Sequence, residues 1–247
     1  MKKHLPKILC AVFAAIFAVS AGALVLYFIN GEQEKNTFED LREQIITDTP
    51  PSSEVVSAAD TEDDNAVDIN ELKKLNSDAV FWMTIPGTNI DYPVMHTPAS
   101  PEEYLHRDFY GKETRSGTPF LDGYQTADED NIFIYGHNMK NGTMFWALKK
   151  YTSKSFAAEN NKIYLWAESG LKVYRIYAAL NTDDGDGWYS KREFIDEAAY
   201  DFAMSYLEGK ALYTVGERPE YGTKLLTLST CRSGGDNKRL LVIAAQD

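Results

Sequence analysis

From Ile8 to Ile29 the chain carries no charged residue, 22 positions in a row. A helix needs roughly 20 apolar residues to cross a bilayer, so this run can be a membrane span or an export signal. Lys2, Lys3 and Lys7 precede it, and Glu32 and Glu34 follow. The positive-inside bias then places the N-terminus in the cytoplasm and everything after Asn30 outside. Ala21-Gly22-Ala23 resembles a cleavage site, which is the competing reading. Leu24 to Ile29 continue the apolar run past that cut, however, and signal h-regions usually span about 7–15 residues. Residues 1–30 are therefore expected to be a cytoplasmic tip and a single uncleaved transmembrane helix. No lipobox-like stretch precedes Cys10, so a lipoprotein is not expected.

The anchor gives the two cysteines different meanings. Cys10 lies inside the apolar run and cannot reach Cys231 in a domain outside. Cys231 is then a lone thiol in a compartment that permits disulfides. It is either a buried, inert cysteine or a reactive one. Net charge is −12, unevenly spread: residues 31–78 carry 14 acids and 4 bases, residues 79–247 carry 23 acids and 18 bases. No phosphate-binding surface is indicated, and nucleic acid is not an expected partner.

Residues 31–66 hold Pro50-Pro51, Ser52-Ser53 and Glu62-Asp63-Asp64, with few apolar positions. Such a stretch buries too little to fold and reads as an acidic flexible stalk, with a short helix over Phe38–Ile46 as an option. The folded domain is expected over 67–247. Asp68 and Glu71 have capping-box spacing, and Ile69, Leu72 and Leu75 mark one face of a short helix. Eight short strand patterns follow, over 80–85, 90–95, 118–121, 131–135, 162–167, 172–180, 224–230 and 239–245. Turn signals separate them, which argues for a mainly β barrel or sandwich. A helix is expected between the sixth and seventh strands: Ser190 and Glu193 have capping-box spacing, Phe194, Ala198, Phe202 and Tyr206 recur every fourth residue, and Gly209 supplies the stop.

In Leu226-Thr227-Leu228-Ser229-Thr230-Cys231, apolar and hydroxyl side chains alternate. Cys231 shares parity with Thr227 and Ser229, so it belongs to the more polar face at the strand end. A core cysteine would share the parity of the leucines. The loop 232–238 has paired glycines and turn-forming residues. Arg239 then opens the next strand, so an antiparallel hairpin sets Arg239 across from Cys231. A guanidinium there could steady an oxyanion, or it could be a solvated strand-end charge. A thiol nucleophile also needs a proton partner. His137 directly follows an apolar strand and Gly136. His4 is cytoplasmic, and His96 and His106 sit in polar stretches that read as solvated surface. No His/Cys/Asp cluster has metal-ligand spacing.

Thr227 to Cys231 followed by Arg239 at a strand start resembles the sortase signature. The segment Tyr135-Gly136-His137-Asn138-Met139-Lys140-Asn141-Gly142-Thr143-Met144-Phe145 is similar to the histidine segment of class B sortases. Ile85 to Val94, Phe109-Tyr110-Gly111 and Gly117 to Asp122 resemble further parts of that class. The resemblance covers Val67 to the C-terminus. Two features depart from it: Arg232 directly follows the cysteine, and Pro119 stands where a strand residue is usual. Arg239 is preferred because it starts the hydrophobic strand.

The resemblance implies an eight-stranded sortase-type β-barrel and no cofactor or metal. It implies a cysteine transpeptidase in which Cys231 attacks the threonine carbonyl of a C-terminal sorting signal on an exported protein, NPQTN-like or related. The thioester then passes to an amine of a peptidoglycan precursor. His137 would carry the proton and Arg239 would orient the substrate and steady the oxyanion. By the same matching, Leu105, Thr182, Tyr189 and Ser229 would line the substrate groove. Two other readings use the same residues: an extracytoplasmic cysteine hydrolase with water as acceptor, and a membrane-tethered binding module whose cysteine is inert.

Overall fold

The computed structural model describes residues 5–47 and 66–247. The chain forms two compact units, Met1–Leu41 and Arg42–Asp247. In the first, helix α1 (Leu5–Ile45) begins, and Phe13, Phe17, Val19 and Phe28 are exposed on it. Among the described residues, no helix is long and apolar enough to cross a membrane. The side chains of Ile8, Ala11 and Tyr27, within the expected span, lie outside the described set.

The second unit is built on strands β3 (Ala79–Ile85), β4 (Ile90–Met95), β5 (Phe120–Leu121), β6 (Asn131–Tyr135), β7 (Lys162–Ala167), β8 (Gly170–Asp183), β10 (Leu225–Cys231) and β11 (Lys238–Gln246). Neighbours run β11-β10-β6-β5-β4-β3-β7-β8, and β8 pairs back onto β11, closing the eight-stranded barrel. The two-residue strand β9 (Tyr213–Thr214) adds to β8 outside this ring. Closure removes the free edges that a sheet of this kind would otherwise expose. Pro119 does no harm to the ring, because its carbonyl, not its missing N–H, makes the bond to Met95.

The folded unit starts earlier than the sequence suggests. Residues 31–45, expected in the flexible stalk, are helical, and β1 (Ile46–Thr47) pairs with β2 (Ala66–Val67). Ile45 is buried, and its carbonyl accepts from the Asp68 amide. Arg42 reaches the Asp91 carboxylate at 2.6 Å, where Trp82 Nε1 and Thr84 Oγ1 also donate. A lone arginine in an acidic run is a weak signal, and its partner lies far along the chain. The rest of the expected stalk, residues 48–65, lies outside the described residues.

Helix α2 (Ile69–Leu75) is capped by Asp68 as expected and buries Ile69 and Leu72, while Leu75 is exposed. After α3 (Lys154–Glu159), helix α4 (Glu197–Lys210) does fall between the sixth and seventh barrel strands, but with a different phase. Its cap is Asp196, which accepts from the Ala199 amide, and Gly209 lies inside it. The buried face is Tyr200, Ala203, Met204 and Leu207, spaced i, i+3, i+4, i+7. Phe202 is exposed. Ser190 instead ends a short turn, Gly187–Ser190. The buried face of α4, with Trp188, forms an apolar cluster with Phe133, Leu225, Leu241 and Ile243 of the barrel strands.

Candidate active site

Three adjacent strands carry the site. Cys231 of β10 stands opposite Arg239 of β11 in antiparallel register. On the other side β10 runs parallel to β6, with Ser229 beside Tyr135, so Gly136 and His137 emerge alongside Thr230 and Cys231. The two segments are stitched together. The Gly136 amide donates to the Ser229 carbonyl, Thr230 Oγ1 donates to the Gly136 carbonyl, and Asn138 Nδ2 donates to the Cys231 carbonyl at 2.8 Å. Gly136 is required at this step, because a Cβ there would stand 2.7 Å from the Phe145 ring.

Cys231, His137 and Arg239 line one cavity of about 420 Å³, together with Leu105, Tyr189 and Ser229. Cys231 is exposed there. Arg232, the other arginine beside the cysteine, does not line it.

His137 Nε2 lies 2.9 Å from the Leu105 carbonyl. A carbonyl oxygen can only accept, so Nε2 carries the hydrogen, and the neutral ring presents an unprotonated Nδ1. Burial holds the His137 pKa below the ordinary imidazole value; the Leu105 carbonyl works against that lowering and neighbouring His106 adds to it. The Arg239 guanidinium donates to the carbonyls of Asp236 and Lys238 through Nη1 and to the Asp184 carboxylate through Nη2 at 3.3 Å. Nε–H and the second Nη2 hydrogen remain for an incoming oxygen.

The more polar face of β10 is covered along the strand and opens only at its end. Thr227 and Ser229 are buried. Trp188 Nε1 donates to Thr227, which donates to Asn131, and Tyr189 shares a 2.8 Å hydrogen bond with Ser229. The Gly187–Ser190 turn lays these aromatics over the strand, so only Cys231 at its end is open. Burial pushes the Tyr189 phenol up to about 12, so it stays protonated.

Thr182, expected in the groove, does not line the cavity. Its backbone is the register partner of Arg239, but its hydroxyl donates to Asp186. Asp186 also accepts from the Trp188 amide, Tyr206 and Lys210. Burial alone would raise this carboxyl, but the bonds from Lys210, Thr182, Trp188 and Tyr206 outweigh it and hold it at about 2. The cavity also holds Asp184 and the cluster of Asp122, Tyr135 and Arg192, which sequence reasoning missed. The acidic turn Asp183-Asp184-Gly185-Asp186 was the available signal for the first; nothing local marks the second. His96 is half-buried with Nε2 unpartnered, not a solvated loop residue. His106 is exposed, but its ring stacks on His137.

The sortase domain family profile matches residues 83–247. Sortase B of Listeria monocytogenes is 32% identical over 208 residues, covering 82% of this chain and 83% of that protein. The crystal structure of Clostridium perfringens sortase B superposes with a TM-score of 0.68 at 31% identity, over 73% of this chain and 100% of that one. A Staphylococcus aureus sortase B–substrate complex gives 0.67 at 26% identity, over 72% and 83%. A sortase B complexed with triglycine gives 0.67 at 25%, over 72% and 85%. The chain thus belongs to the sortase family, among the class B enzymes, and is a cysteine transpeptidase.

Proposed function

We propose that Cys231, His137 and Arg239 carry out the transpeptidation, and that the observation supporting this is their shared lining of one open cavity. His137 Nδ1 takes the thiol proton, and the sulfur attacks the threonine carbonyl of a C-terminal sorting signal. The oxyanion of the tetrahedral intermediate meets the free Arg239 hydrogens. Collapse to the thioester breaks the peptide bond, and the leaving amine takes the proton from His137. An acceptor amine then attacks the thioester and gives its proton to His137, which returns it to sulfur. Leu105, Tyr189 and Ser229 form the walls against which the signal lies.

The substrates in this reading are exported proteins with an NPQTN-like signal, and the acceptor is an amine of a peptidoglycan precursor. The sortase B relatives bound to substrate and to triglycine support a peptide donor and an amine acceptor of this kind. The uncharged run Ile8–Ile29 and the three lysines before it support a single-pass anchor with the N-terminus in the cytoplasm and the catalytic unit outside.

The test is mass spectrometry of the full chain incubated with a library of signal peptides, with and without added amine. An acyl adduct on Cys231 that passes to the amine is expected. Release to water only, with no amine product, would favour a hydrolase. A thiol that resists alkylation until the protein is unfolded would leave only the binding-module reading.

A further inference from the structure

Residues 103–107 meet the site twice. The Leu105 carbonyl fixes Nε2–H of His137. The next side chain, His106, stacks on the same imidazole with ring centroids 5.7 Å apart and planes inclined by 25°. His106 is exposed and lines an adjoining hollow with Glu102, Glu103, Arg107, Glu113 and Tyr124. Arg107 is ion-paired to Glu103. On its other side His137 faces the cavity shared with Cys231 and Arg239.

We propose that His106 is a positioning residue that acts on the reaction through His137, steadying its ring by stacking and opposing a second positive charge beside it. This rests on His137 being the proton carrier. When His106 holds a proton, a proton on His137 must form against it. Like charges on rings stacked 5.7 Å apart repel, which disfavours the second proton. The direction agrees with the lowering that His106 exerts on His137. The consequence is chemical: the proton that His137 takes from the thiol is held less firmly, and is handed more readily to the leaving amine.

The test is an NMR titration of the full chain with 13C-labelled histidine, comparing His106→Gln, which removes the charge, with His106→Arg, which keeps one. The neighbouring acids and Arg107 are common to all three proteins, so differences read His106 alone. His137 is expected to titrate higher in His106→Gln than in wild type, and at or below wild type in His106→Arg. An unmoved His137 titration in His106→Gln overturns the proposal. The pH profile of peptide cleavage is measured alongside. If the titration moves and the cleavage profile does not, the coupling stands and His137 fails as the proton carrier, so the two failures are distinguishable.

Discussion

A guanidinium whose Nη1 hydrogens are taken by two carbonyls must offer what remains in a fixed direction. Lysine cannot reproduce that, because its ammonium is a point charge on a flexible stem. Arg239→Lys is expected to lower kcat about 10²- to 10³-fold, the usual effect of losing an oxyanion donor, with the fold unchanged by circular dichroism. Cys231→Ala should abolish both acyl-adduct formation and transfer, with an unaltered melting temperature, since the exposed thiol supports no packing. Near-normal turnover of either variant removes that residue's assignment. At this scale local pattern placed the three residues at strand ends, by parity, turn or glycine, and the structure brings them to one cavity; the roles proposed for them came from the family resemblance. Thr182 could not be placed, because its direction is decided by Asp186 and two side chains of α4, and none of these is visible in the strand's own sequence.

The elements around the site are held by a few polar joints. Asp186 ties the end of β8, the Gly187–Ser190 turn and α4 together. Its folded pKa, about 2, lies below the ordinary value of 3.8. The stability it contributes is therefore present above about pH 4 and lost as pH falls through about 2. Asp186→Asn should flatten the fall of denaturation midpoint across that window and raise KM for peptide, because Tyr189 rides on the same turn. A second joint is Gly117, with φ of +60° and room only for hydrogen: a Cβ would stand 2.5 Å from the Leu105 carbonyl. Gly117→Ala should cost about 1–2 kcal/mol in urea unfolding for the left-handed backbone alone. It should also slow turnover by displacing the acceptor that orients His137. The existence and order of these elements were legible from periodicity and turn signals, but the phase of α4 was not. Phe194, Phe202 and Tyr206 make a convincing stripe, yet the face that docks is chosen by the barrel surface it meets, and Phe202 was left outside.

Across the whole molecule, the folded unit reaches back to Arg42. A chain cut to begin at Val67 loses the Arg42–Asp91 pair and the Ile45 side chain. Burial of one isoleucine is worth about 1.5–3 kcal/mol, and the Arg42 pair with Asp91, whose carboxylate is partly exposed and keeps its Trp82 and Thr84 donors, adds about 0–1 kcal/mol. Such a chain should melt well below one that begins at Arg42. Equal melting temperatures would show that residues 42–47 contribute nothing. Eight short apolar runs with turns between them made a β barrel or sandwich legible, and the sortase resemblance pointed to the closed eight-stranded form that the structure has. Its boundary was not, because the paired segments on either side of residues 48–65 are two residues long and carry no pattern.

The closing strand β11 follows every other strand of the ring, and it carries the guanidinium. His137 and Cys231 are separated by some ninety positions and become neighbours only through the parallel β6–β10 pairing, a slow kind of contact to form. A nascent chain halted between residues 231 and 239 would thus have sulfur and imidazole with neither the guanidinium nor a finished wall around them. On the roles proposed for these three residues, competence would arrive only when β11 pairs with both β10 and β8 and brings Arg239 to the cavity.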